Sequence, residues 1–122
     1  MKYLYLALFF FFILFNLGDF LTTSLVIGNY GYEMEANPIA RGAFKEGGLS
    51  EIMHQIIKLV FLPSLIILEV WVANQSKIFG IVFESLIHSF TAVAISFSIF
   101  VFLFATINNL AVAESLGLLI LQ

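Results

Sequence analysis

Apolar residues fill three long stretches of this chain, and the few polar residues inside those stretches recur at helical rather than alternating spacings. The first stretch covers about residues 3–27 and opens with the unbroken run YLYLALFFFFILF. At about 1.5 Å of rise per residue it crosses a hydrocarbon core of about 30 Å. Lys2 before an apolar run is also how a secretory leader begins, but no small-x-small cleavage site follows and the apolar character continues past Asp19. A retained helix is the better reading. A second span is predicted over about 51–73, with Pro63 at its middle, where neighbouring helices or side chains must satisfy the carbonyl that proline leaves free. The third is predicted over about 79–110, and residues 89–113 contain no charge.

Between the first two spans, residues 28–50 read GNYGYEMEANPIARGAFKEGGLS, with five Gly, one Pro and five charged residues. This is the one substantial polar loop, since Asn74–Lys77 makes only a short turn and the tail after Glu114 is too short for a fourth crossing. No internal repeat marks a second unit, so residues 1–122 are expected to form a single all-α transmembrane domain of three helices. Lys2 and Lys77 fall on one side, Arg41 and Lys45 on the other. That near balance is read with the amino terminus inside the cell membrane and the long loop outside.

Composition supports a lipid solvent. The chain is 61% hydrophobic and 11% charged, where soluble domains carry roughly 45–50% and about 25%. Fifteen Phe, four Tyr and one Trp exclude intrinsic disorder. A net charge of −3 without a basic cluster excludes a nucleic-acid surface, and the absence of Cys excludes thiolate chemistry.

Against this background the intramembrane polar groups are the informative residues, because a charge near the bilayer centre costs at least about 2.5–3.5 kcal/mol. At 100° per residue, Asn16, Asp19 and Thr23 lie within about 60° on one face, with Thr22 beside them. On the second span His54 and Lys58 are one turn apart, and Glu69 is expected within about 20° of Lys58. Asp19 and Lys58 sit at matching depths toward the long-loop side, so they are expected to pair. Asn108 and Asn109 reach the same end of the third span, where an amide could cap that pair. At the opposite end Glu84 and His88, one turn apart, are expected to form a second cluster with Glu69.

In the loop, Glu33, Glu35 and Asn37 alternate, and Pro38 keeps Asn37 extended. Turned inward with His54, these oxygens could hold a divalent cation over the Asp19 cluster, although the spacing matches no standard metal motif. No nucleophile motif, phosphate loop or zinc-protease signature is present, so no catalytic residue is assigned.

The series Asn16-x-x-Asp19-x-x-Thr22-Thr23, then Glu33-x-Glu35-x-Asn37-Pro38, then Lys58 and Asn108 or Asn109, resembles the small three-helix prokaryotic membrane proteins grouped as domain of unknown function 5658. The resemblance implies fold and topology, and motif positions at Asp19, Thr22, Glu35, Asn37, Pro38 and Lys58. It implies no activity. Glu33, His54 and the heavy use of Phe depart from the pattern. The leading expectation is a structural or accessory membrane component, surrounded by lipid and assembled as a homo-oligomer or with a partner membrane subunit. The competing expectations are an oligomeric transporter or ion-handling protein that uses Asp19 and Lys58, and an intramembrane enzyme.

Overall fold

The structure, a computed structural model, describes residues 2–31, 35 and 38–117. Among these residues every regular element is helical. Helix α1 spans Lys2–Tyr30, α2 spans Pro38–Glu46 and α3 spans Gly48–Ile56. A π turn at Ile57–Phe61 joins α3 to α4, Leu62–Gln75, and a 3₁₀ turn at Ser76–Phe79 leads through Gly80 into α5, Ile81–Ser115. Three helical rods are long and apolar enough to cross a membrane: Tyr3–Asn29, Gly48–Phe79 and Ile81–Ser115.

The middle rod overruns its expected boundaries at both ends, the first runs on to Asn29, and the third begins at Ile81 and runs on to Ser115. The stretch expected as a polar loop over 28–50 contains the last turn of α1, the short helix α2 and the start of α3. Helix α2 forms there because Pro38 occupies its first position, where the missing N–H has no partner to lose. Its Ala40 and Ala43 are buried while Ile39, Arg41 and Lys45 are exposed. Gly47 and Gly48, at φ of 65° and 53°, make the corner into α3, a geometry that favours glycine.

Buried positions on α1 run Tyr5, Phe12, Asn16, Thr23 and Val26, spacings of seven, four, seven and three that draw one inward stripe. The stripe on α5 runs His88, Thr91, Ile95 and on to Ala113. These two helices run parallel and pack along their length, since Tyr5 meets His88, Phe15 meets Thr106 and Asp19 meets Asn109. Gly18 permits a close approach: a Cβ there would stand 3.2 Å from Thr106 Oγ1. The middle rod runs antiparallel and completes an apolar centre of Tyr5, Phe12, Ile66 and Ile95. Phe12 packs edge-on to Phe102 with ring centroids 5.4 Å apart. The outer faces carry exposed Phe, Leu, Ile and Val, as a lipid solvent requires.

The middle rod divides into two halves with different neighbours. Helix α4 packs on both α1 and α5, whereas no Cα of α3 or of the π turn comes within 8 Å of one in α5. The rods therefore splay apart toward the long-loop side.

Candidate functional site

Proline and the π turn set up the site. The N–H of Leu62 bonds to the Ile57 carbonyl five residues back, so continuing that pattern would assign the Lys58 carbonyl to residue 63. Residue 63 is proline and has no N–H to give. The Asn16 side chain of α1 supplies the missing donor, with Nδ2 2.9 Å from the Lys58 carbonyl oxygen. Asn16 is buried, and among the described residues its own Oδ1 has no partner. Ser64, which the sequence places beside the proline, bonds instead to the Val60 carbonyl at 2.7 Å.

One turn beyond Asn16, the Asp19 carboxylate receives the Lys58 ammonium at Oδ2. Its other oxygen, Oδ1, accepts from Asn109 Nδ2 at 3.0 Å and from the Thr23 hydroxyl at 3.3 Å. The same Asn109 amide lies 3.1 Å from Thr22 Oγ1 and 2.9 Å from Thr23 Oγ1. Thr22 in turn donates to the Gly18 carbonyl at 2.7 Å. Both carboxylate oxygens are thus occupied by groups from all three rods. The charged side chains retain only 14% and 13% exposure, so leaving either unpaired would be costly. Lys58 Nζ also stands 5.5 Å from the centre of the Phe102 ring, within cation–π range.

The pair lines a cavity of about 500 Å³ on the long-loop side, and Glu35, His54 and Asn108 line it with them. Helix α2 contributes Ala40 and Phe44, and Phe44 meets the His54 ring edge-on at 6.0 Å. His54 therefore lies at the cavity but outside the hydrogen-bond network. Asn108 lines the cavity while its neighbour Asn109 makes the bonds. Arg41 Nε donates to the Glu35 carbonyl at 2.8 Å, tying the loop to α2. Glu33 and Asn37 lie outside the described residues. Among the described residues, no three of His, Asp and Glu converge as cation ligands.

At the opposite end, the expected cluster of Glu69, Glu84 and His88 is corrected in its membership. Glu69 is exposed and, among the described residues, makes no hydrogen bond or ion pair. The reason is the π turn: its extra residue rotates everything after it by about one residue's 100°, which carries Glu69 off the Lys58 face. His88 is buried and instead meets Tyr5, whose hydroxyl lies 2.5 Å from Nδ1. Glu84 Oε1 stands 3.7 Å from His88 Nε2, one turn earlier on α5. Sequence reasoning missed Tyr5 because it opens an aromatic run and reads as an interfacial anchor. Its signal was depth, since it and His88 both lie near the short-turn end of parallel rods. Phe102 and Phe44 were missed because nothing distinguishes them among 15 Phe.

A sequence model described as Domain of unknown function (DUF5658) matches residues 10–113, which include every residue of the Asp19 and Lys58 network. No curated protein and no solved structure matches the chain.

Proposed function

We propose that this chain, which belongs to the DUF5658 family, is a non-catalytic component of the cell membrane that works by assembling with a second membrane subunit or with further copies of itself. The supporting observation is the saturation of Asp19: its two oxygens are taken by Lys58, Asn109 and Thr23, so the carboxylate deepest in the bundle is committed to holding helices together. A carboxylate held this way fixes the register of three helices against one another. Three rods with apolar outer faces leave broad surface for other helices as well as lipid. In this reading the amino terminus and Lys77 face the cytoplasm, and α2 with Arg41 and Lys45 lies outside.

The test is to solubilise the chain from its native membrane in mild detergent and measure the mass of the intact particle. The expected result is a particle in which the 13.7 kDa chain has a fixed stoichiometry with a second subunit or copy. A lone chain in the micelle overturns the reading. Proton or cation flux through the purified protein in sealed vesicles overturns it in favour of ion handling. Cysteine placed singly at Lys2, Lys45, Lys77 and Gln122 fixes orientation, with Lys2 and Lys77 expected to label from the cytoplasmic side only.

A further inference from the structure

We infer that the cavity between the splayed rods is a lateral binding site for a neutral lipid with a flat, hydrogen-bond-accepting ring and an apolar tail, of the prenylquinone kind. Its volume of about 500 Å³ falls within the range of about 300–1,000 Å³ typical of small-molecule sites. Part of its rim belongs to the apolar outer surface of the rods. Val101 and Phe104 of α5 and Ile57 of the π turn stand at its edge, each at least half exposed on an apolar stretch of a membrane-spanning rod. The separation of α3 and the π turn from α5 makes this gap, and a tail can enter through it without passing the loop.

The inner end defines the head. Lys58 Nζ carries three N–H donors; one goes to Asp19, and among the described residues the other two have no protein acceptor. His54 lies one turn nearer the loop, and Asn108 lines the same wall. The head must therefore accept hydrogen bonds. It must also not be anionic, because Lys58 and Asp19 already cancel each other and the Glu35 carboxylate lines the same cavity, and a neutral head adds no charge to be stranded at this depth. Phe102, Phe44 and Phe20 supply aromatic walls against which a flat ring packs. A phospholipid head meets the first condition, since its phosphate accepts hydrogen bonds, but it carries charge and is tied to the interface above.

The reporter is Phe104→Trp in a Trp71→Phe background, purified in detergent micelles and titrated with a ubiquinone carrying a two-isoprene tail, which quenches indole fluorescence. The expected result is saturable quenching at one quinone per chain. Wild-type Trp71, at the short-turn end, should show only the linear quenching of quinone dissolved in the micelle. Ala105→Phe or Val101→Phe, each filling the cavity from α5, should weaken binding at least tenfold with the unfolding midpoint unchanged. His54→Phe with Asn108→Leu should weaken it about fivefold, as loss of a single hydrogen bond does. Linear quenching of equal slope at both Trp positions overturns the proposal, as does saturable quenching indifferent to both filling variants. A phospholipid that stays bound in native mass spectrometry and is not displaced by the quinone overturns it in favour of a different occupant.

Discussion

Removing the charge from Asp19 or Lys58 alone should cost more than removing both. In Asp19→Asn the carbonyl oxygen still accepts from Asn109 and Thr23, but the Lys58 ammonium loses its counter-ion. Breaking a buried pair costs about 3–5 kcal/mol. The 13–14% exposure of these side chains and the Phe102 ring 5.5 Å from Nζ place this variant near the low end, at about 3 kcal/mol. Lys58→Met leaves a carboxylate that keeps its Asn109 and Thr23 donors and can also take up a proton. Its expected cost is smaller, about 2 kcal/mol. The double variant strands nothing and puts Met against Phe102, for an expected loss of about 1 kcal/mol. The coupling is then about 4 kcal/mol, far outside the roughly 0.5 kcal/mol of independent sites. Equilibrium unfolding in mixed micelles of increasing denaturing detergent measures all four corners of the cycle. A coupling below about 1 kcal/mol would refute the account of the pair as mutually dependent charges.

Three further outcomes follow from named contacts. Asn16→Leu orphans the Lys58 carbonyl and should destabilise by about 1–3 kcal/mol; in a Pro63→Ala background, where residue 63 regains its N–H, the same substitution should cost less than half as much by the same unfolding measurement. Gly18→Leu drives a side chain into Thr106, whose Oγ1 lies 3.2 Å from a Cβ at that position, and should lose about 1–3 kcal/mol or the parallel α1–α5 packing altogether, read as folded yield and helix–helix crosslinking. Tyr5→Phe removes the partner of His88 Nδ1 at a cost of about 0.5–1.5 kcal/mol, whereas Glu84→Gln, half-exposed and 3.7 Å from the ring, should change the unfolding midpoint by less than the error.

Membrane sequences are legible where lipid makes polarity expensive, and here that logic carried from hydropathy to three rods and from matching depths to the Asp19 and Lys58 pair. It also placed an amide of residue 108 or 109 beside them, and the structure selects Asn109. Two kinds of information were hidden. Asn16 bonds to a backbone carbonyl, and a carbonyl has no residue type to recognise; Pro63 announced that one was free but not which side chain would reach it. The π turn was the second, because an α-helical count of 100° per residue holds only while the hydrogen-bond pattern does. Angles worked within α1 survived, and the angle from Lys58 to Glu69 across the turn did not. The loop shows a third difficulty. Its Gly and charges dominate the composition of 28–50, while the helix-starting Pro38 and the Ala40 to Ala43 spacing were the local signals for α2.

The separation of the paired groups along the chain imposes an order on biosynthesis. Lys58 follows Asp19 by 39 residues and Asn109 follows it by 90. At about 5–20 residues per second, Asp19 waits roughly 2–8 s for its counter-ion and roughly 5–18 s for its amide. During that interval α1 is a helix with an unanswered carboxylate near its middle, and released into lipid it would have to protonate or slide toward the interface. Pairing with the second span as a hairpin answers that carboxylate first, and the amide of α5 can reach it only after the third span is made.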